Sequence, residues 1–311
     1  MNNQPIDFAP VLDFNLETEL NRIRGFLNSG GPDTESGRRD FLEWTKHMVL
    51  LRDAGLMKQE EFETLKQTLI PVADRDSIMG ISLLKPYGYA GDFEVIDRVY
   101  TERMSKDPNL KNWDEWVQQT SGLQAVRNRK KYFKKLLLEL HAKNTPVKIL
   151  NIACGPCRDL LEFFEEVGDT QLQISCLDHD QNAINYAKTL LNEHSAKIDF
   201  IRANIFKFEA SGSYDVIWSA GLFDYFDDIT FSAILKRLYG WLPPNGKIIV
   251  GNFSWESETR FIKEFVEWPL HYRNAKDLEL LAVKAGISPI NISVDKEPLG
   301  VNLFLHLIKT D

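Results

Sequence analysis

Two kinds of periodicity divide this chain. Over residues 1 to about 145, apolar side chains recur at helical spacing and almost nothing alternates as a strand would. Leu16, Leu20, Ile23 and Leu27 fall at i, i+4, i+7 and i+11, one face of an amphipathic helix. Asp33, Thr34 and Ser36 are cap-forming residues ahead of a second helix carrying Phe41, Trp44, Met48 and Leu51, which Gly55 is suited to end. A short helix is predicted over Glu60–Leu69, stopped by Pro71. One long helix is predicted over Trp113–His141, with Gly122 as a point of interruption and Asn144–Pro146 as its end.

From Val147 the period shortens. Strand-like runs at 147–152, 172–177, 198–201, 214–218 and 246–251 alternate with helical stretches at about 157–167, 181–193, 230–241, 256–265 and 275–285. Two more strands are predicted at 288–294 and 301–308. Such alternation predicts a parallel sheet with helices on both faces. Only Asp295–Gly300 separates the last two strands, a connection that permits a hairpin and not a crossover. The expected fold is therefore α/β: a Rossmann-like, doubly wound sheet of seven strands, the last antiparallel, over 146–311. An all-helical domain over 1–145 packs tightly against it.

Composition narrows the function. The 311 residues are 43% hydrophobic and 26% charged, globular values, and the chain is long enough to bury a core without disulfides or metal. A net charge of −8 argues against a general nucleic-acid binder. The one basic run, RNRKKYFKK at 127–135, lies on a predicted helix and reads as a solvated face. Three cysteines are too few for a secreted disulfide scaffold. MNNQPIDFAP has neither the basic nor the apolar region of a signal peptide. No run approaches the roughly 20 apolar residues of a membrane span. The expectation is a cytoplasmic protein with a small-molecule substrate, no nucleic-acid partner and no metal.

Candidate chemistry concentrates in Ile149-Leu-Asn-Ile-Ala-Cys-Gly-Pro-Cys-Arg-Asp159, which leaves the first strand and enters a helix. Cys154-Gly155-Pro156-Cys157 is the C-x-x-C of thioredoxin-like oxidoreductases. Against that, Ala153 stands where a Trp usually precedes the pair, and the downstream strands continue a doubly wound sheet. The other reading is a nucleoside loop, since the first strand–helix turn of such a sheet offers backbone N–H groups to a ligand. Small residues let the ligand approach. The G-x-G-x-x-G fingerprint is absent, with only Gly155 left between Ala153 and Cys157, so a ligand without phosphate suits the loop better. Asp178 ends the second strand about 20 residues on, where an acid accepts both hydroxyls of a ribose. Asp180 reads as the cap of the next helix. Asn204, after the third strand, can meet an adenine amine or simply make a turn. Ser219–Tyr225 follows the fourth strand and should face the ligand crevice, with Asp224 and Tyr225 as site residues and Leu222 and Phe223 as wall or core.

Residues 147–251 resemble a class I S-adenosylmethionine (SAM) dependent methyltransferase. ILNIACGPCRDL matches the first motif, SCLDHD the acidic end of the second strand, YDVIWSAGLFDYF the fourth-strand motif, and LPPNGKIIVGNF the fifth strand and its approach. The resemblance implies SAM as cofactor or substrate. It implies contacts from Ala153, Cys154, Gly155 and Arg158, from Asp178 and His179, from Asn204 and Ile205, and from Ser219 and Gly221. A narrower resemblance rests on LLKPYGYAGDFEVIDRVY (83–100), ACGPCRDL, SAGLFDY and EWPLHYR (267–273). It is to bacterial proteins with a helical N-terminal domain, grouped with enzymes that make 3-hydroxypalmitic acid methyl ester. The same group is similar to azetidine-2-carboxylate synthases, which cyclise SAM itself. The usual outer glycines of the first motif are Ala153 and Cys157 here, and its opening acid is Asn151, which leaves the contacts to the methionine carboxylate and amine open.

Two further clusters gain meaning from that resemblance. Lys85–Glu94 presents Tyr87 and Tyr89 with Asp92 and Glu94 close behind, and aromatic faces attract a cation such as a sulfonium. Its plain alternative is a helix connection in which Asp92 caps a helix over Phe93–Tyr100. Trp268 and Tyr272 can complete an aromatic wall, and the Arg273 fork can hold a carboxylate; the alternative is a surface Arg among core aromatics. His271 is a possible proton acceptor, against the commoner reading of a lone His as merely packed. The expected catalytic set is Tyr87, Tyr89, Asp92, Tyr225, Tyr272 and Arg273. The expected reaction is O-methylation of a small-molecule or fatty-acid carboxylate, which is already ionised and asks the protein only for positioning and desolvation. The alternatives are SAM cyclisation with release of methylthioadenosine, which needs no second substrate pocket, and SAM binding without turnover. Glycines at 88 and 91 would let the helical domain move as a lid.

Overall fold

The computed structural model describes residues 14–255 and 259–310, with backbone alone over 259–262. The segment in which a leader was sought, and the start of the helix expected at 256–265, lie outside the described residues. Seven helices come first: α1 Leu16–Asn28, α2 Glu35–Asp53, α3 Gln59–Thr68, α4 Ile78–Leu84, α5 Phe93–Tyr100, α6 Pro108–Gln118 and α7 Ser121–His141. The alternating half runs β1 Val147–Ile152, α8 Arg158–Val167, β2 Leu172–Asp178, α9 Gln181–Leu191, β3 Ile198–Arg202, β4 Val216–Ser219, α10 Asp228–Gly240 and β5 Lys247–Phe253. It closes with α11 Thr259–Val266, α12 Ala275–Lys284, β6 Ile292–Lys296 and β7 Asn302–Ile308. No helix among the described residues is long and apolar enough to cross a membrane.

The seven strands form one Rossmann-like sheet in the order β3-β2-β1-β4-β5-β7-β6. All pairings are parallel except those of β7, which runs antiparallel to both β5 and β6. The short hairpin connection thus returns β7 between its two neighbours and leaves β6 at the edge. The strand order reverses between β1 and β4, the switch point at whose carboxyl end ligands bind in such sheets.

Local differences from expectation have local causes. The expected single helix over 113–141 is two helices, broken at Gln119–Thr120 and not at Gly122. Its first part starts earlier, where the Asp107 side chain caps α6 ahead of Pro108. The seven residues of α4, capped by Ser77, were too short a run to show a period.

The apolar cores do not respect residue 146. Helices α1–α6 share a core with Phe253, Phe265, Val266 and Val301 of the second half. In α7, Ala125 and Val126 belong to that core, while Phe133, Leu136, Leu137 and Leu140 cover the sheet face formed by Ile149, Trp218 and Phe304. Phe133 stacks on Trp218 with ring centroids 4.6 Å apart. The opposite sheet face packs α10 and α12 through Leu235, Leu238, Leu278 and Leu281.

Candidate ligand pockets at the carboxyl end of the sheet

Three left-handed residues in five shape the loop after β1: Ala153 (φ 53°), Gly155 (φ 56°) and Cys157 (φ 56°). Such backbone is disfavoured for Ala and Cys and accumulates at functional sites. The bends aim the Gly155 N–H at Asp178 Oδ2 (3.1 Å) and the Cys154 N–H at the Leu177 carbonyl (3.3 Å). A Cβ built on Gly155 meets nothing within 4 Å, so the loop fronts open space. Asp178 is buried, and its Oδ1 accepts the Asp180 N–H at 3.0 Å. Hydrogen bonding to Asp178 raises the pKa of His179. Asp180 caps α9, as expected, and accepts the Tyr89 hydroxyl at 3.3 Å.

The three cysteine sulfurs lie within 4.8 Å of one another, with Cys157 and Cys176 at 3.9 Å, as free buried thiols. Hydrogen bonding to its two neighbours, then burial, pushes the Cys157 thiol well up. Disulfide exchange needs an accessible thiolate. The C-x-x-C pair therefore packs as small apolar side chains.

A pocket opens above this loop. Its floor is Asn151, Ala153–Pro156, Asp178, His179, Trp218 and Ala220–Leu222, and its roof is Tyr89, Gly91, Phe93, Ile96, Tyr100 and Arg129 from the helical half. Tyr225 closes one side. An apolar recess adjoins it, lined by Ile152, Leu177, Asn204, Ile205, Phe206 and Leu222. Asn204 Oδ1 accepts the Phe206 N–H at 2.9 Å, so the turn role holds and the amide NH₂ is the donor left toward a ring nitrogen.

A second chamber lies behind the first and shares Gly91, Ile96, Arg129, Gly221 and Tyr225 with it. Its walls are mostly aliphatic, from Ile78 and Met79 of α4, Val95 and Val99 of α5, Val117, Leu123, Val126 and Val266. A chain of hydrogen bonds ties the partition: Trp268 Nε1 donates to the Tyr225 hydroxyl (2.8 Å), which donates to the Ala90 carbonyl (3.0 Å). Burial pushes the Tyr225 phenol far above its ordinary range. Asp224 accepts the Phe253 N–H at 2.6 Å, and burial raises its pKa. Lys263 has its Nζ 3.9 Å from the centre of the Phe253 ring, and burial lowers its pKa to about 7. The Arg129 guanidinium lies against Gly221, where a Cβ would sit 3.1 Å from it.

Arg129 and Lys263 were not foreseen as site residues. Arg129 sits in the run read as a solvated face, yet Ala125, Val126, Arg129, Lys130 and Phe133 form one buried stripe, and that helical spacing was the available signal. Nothing in the sequence marks Lys263.

Several expected site residues are committed elsewhere. Arg158 forks onto Asp97 of α5 (Nη2–Oδ2 2.8 Å), a carboxylate that also accepts the Tyr186 hydroxyl at 2.6 Å. Ser219 donates to the Ile152 carbonyl at 3.1 Å, locking β4 to β1. All five donors of Arg273 are spent: on Asp228 (3.1 and 2.9 Å), Asn252 (2.9 Å), and the carbonyls of Phe223 (3.3 Å) and Phe226 (2.6 Å). It pins the loop after β4 and has no donor left for a substrate. Tyr272 lies beside Trp255 and Lys263, outside both chambers. Tyr87 packs on Phe93 with centroids 4.5 Å apart and donates to Glu94. Asp92 caps α5 through Oδ1, and its buried Oδ2 has no hydrogen-bond partner. His271 is exposed. Tyr89, Ala153, Cys154, Gly155, Asp178, His179, Gly221 and Tyr225 do converge on the pocket, with Asn204 and Ile205 in its recess.

A family model described as a methyltransferase domain matches residues 149–246. No curated protein sequence matches the chain. Among solved structures, a possible exported protein from Bordetella parapertussis is similar over 97% of this chain and 99% of its own, with a TM-score of 0.64 and 15% identity. At that identity the likeness is one of fold. Magnesium protoporphyrin IX methyltransferase from Synechocystis PCC 6803 with bound S-adenosylhomocysteine is a looser match: TM-score 0.48, 12% identity, 70% of this chain and 100% of that one.

Proposed function

We propose that this chain is a SAM-dependent methyltransferase that esterifies the carboxylate of a small molecule or fatty acid. The observation that carries the reading is the pair of chambers sharing one partition, a polar one at the switch point of the sheet and an aliphatic one behind it. Transfer between two ligands needs both, whereas cyclisation of SAM needs only the first. The methyltransferase-domain match and the fold support SAM as the cofactor of the polar chamber. Its donor set fits: open space before Gly155, a buried carboxylate at Asp178 and an apolar recess for a flat ring.

In this assignment Asp178 takes the ribose hydroxyls, and Asn204 and Ile205 border the adenine. Arg129, with an unsatisfied Nε, meets the methionine carboxylate. Tyr89 covers the site from above. Bound there, SAM supplies an electrophilic methyl carbon on a sulfonium. The Tyr225 hydroxyl is committed to Trp268 and Ala90 and holds its proton firmly, so it shapes the partition and is no base near neutrality. A carboxylate acceptor has no proton to lose. The chain therefore contributes orientation and exclusion of water, which suits aliphatic walls. The resemblance to ester-forming enzymes favours 3-hydroxy fatty acids as first acceptors to try.

Cyclisation is kept as a second reading on one observation. The orphaned Oδ2 of Asp92, raised in pKa by burial, is a proton acceptor near the roof of the polar chamber. The deciding experiment is incubation of the purified protein with SAM alone, followed by identification of the nucleoside. Methylthioadenosine above the uncatalysed background would establish cyclisation and overturn methyl transfer. Methyl transfer predicts binding without turnover until an acceptor is added, then S-adenosylhomocysteine and methyl ester in equal amounts.

A further inference from the structure

Two cationic side chains in the walls of the aliphatic chamber have a buried hydrogen-bonding atom with no partner: Lys263 at Nζ and Arg129 at Nε. Their exposures are 9% and 7%. An unpaired buried ammonium is costly, and α11 had room to avoid it. Next to Lys263, Glu264 faces outward and pairs with Arg52 at 3.1 Å. Glu267, just beyond the helix, pairs with Lys66 at 2.9 Å. Lys263 instead turns inward among rings, 3.9 Å from the centroid of Phe253 and 6.0 Å from that of Trp268.

The charges around this chamber are few. Among the described residues that line it, the charged ones are Arg129, Lys263 and Asp224. One oxygen of Asp224 is already occupied by the Phe253 N–H. Arg129 is shared with the polar chamber, so Lys263 is the cation this chamber has to itself, and its Nζ has no hydrogen-bond partner inside an apolar compartment. A monoanion with a hydrocarbon body is the ligand that satisfies both features: its charge meets the orphaned ammonium, and its body meets aliphatic walls.

We propose that Lys263 anchors the anionic group of the acceptor, so that the chamber selects apolar monocarboxylates over neutral or cationic molecules of the same shape. The proposal deepens the methyl-transfer reading. It rests on that reading for the ligand being the acceptor, though the anion site stands on the geometry alone. Lys263 acts here as a positioning residue, and Arg129 lies between the two ligands. Burial lowers the Lys263 pKa to about 7, and a ligand carboxylate beside it would favour its charged form.

The test is calorimetric titration of octanoate and of octanamide into the full chain, with and without saturating S-adenosylhomocysteine. The wild type should bind octanoate about ten- to a hundredfold more tightly than octanamide, the worth of a charge-assisted contact. K263M should erase that preference by weakening octanoate alone, and K263R should retain it. Equal binding of the two probes to the wild type, no binding of octanoate, or octanoate binding unchanged in K263M would each overturn the proposal. If K263M fails to fold, the wild-type comparison still tests the anion site, since equal binding of the two probes refutes it. The nucleoside titration separates the two readings. Failure to bind S-adenosylhomocysteine would refute the donor pocket, while octanoate still reports on Lys263.

Discussion

Gly91 lies in the partition between the chambers, and replacing it with alanine tests the closest contact there. Its φ is +70°, and a Cβ built on it falls 2.1 Å from Cζ2 and 2.9 Å from Cε2 of the Trp268 ring. The left-handed backbone alone costs an alanine about 1–2 kcal/mol. The ring cannot stay where it is, so overpacking adds about 1–3 kcal/mol. Its movement also breaks the bond from Nε1 to the Tyr225 hydroxyl, worth about 1 kcal/mol. G91A should therefore destabilise the chain by about 3–6 kcal/mol. In a W268A background the ring is gone and only the backbone cost remains. A double-mutant cycle should give a coupling of about 2–4 kcal/mol. Urea unfolding of the four proteins, followed by far-ultraviolet circular dichroism, measures it. A coupling under about 0.5 kcal/mol would show that Gly91 and Trp268 do not meet as described.

Three other substitutions or probes address separate parts of the site. D178A should weaken S-adenosylhomocysteine binding about a hundredfold by titration, through the loss of two charge-assisted bonds to ribose hydroxyls. D178N, which keeps an acceptor for the Gly155 N–H, should lose less, and an unchanged affinity in D178A would remove Asp178 from the site. Asp159, at the start of α8, lines the polar chamber, and burial raises its pKa from 3.8 to about 7, so the fold holds that proton more tightly than the unfolded chain. The contribution is full below pH 4 and is lost as pH rises through about 7. Unfolding at pH 5 and pH 8 should thus show the wild type losing about 3 kcal/mol relative to D159N, and a constant difference would refute the assignment. The native protein should react slowly with a disulfide reagent and release three thiols only when unfolded. Rapid native reaction would revive the redox reading of the C-x-x-C pair.

The inner strands were legible because burial on both faces leaves continuous apolar runs, and β1 begins and ends as its pattern predicts, whereas the half-exposed edge strand β6, expected at 288–294, runs Ile292–Lys296. Asp178, Gly155 and Tyr225 were legible because the topology of a doubly wound sheet brings fixed loop positions to one crevice. Arg158 and Arg273 misled for one physical reason: a long guanidinium reaches any acceptor within its radius, and spacing does not say which. Asp97 and Asp228 took them. Lys263 was hidden because its burial depends on how α11 docks against α2, an event with no local trace. The cap at Asp92 was readable, and its unsatisfied second oxygen was not.

Helix α7 sets a limit on how this molecule can be rebuilt. One end of it is seated among α1–α6 through Ala125 and Val126, and the other shields Trp218 and Phe304 through Phe133 and Leu137. A chimaera spliced at residue 145 would leave the sheet with a bare aromatic face and a strong tendency to aggregate. Splicing inside the helix would open both cores at once. Altering acceptor choice by recombination must therefore carry α7 with the sheet and refit the residues of its first half, Leu123, Ala125 and Val126 among them, that meet the incoming helices. Natural variants with new acceptors should keep this helix and vary the walls contributed by α4 and α5.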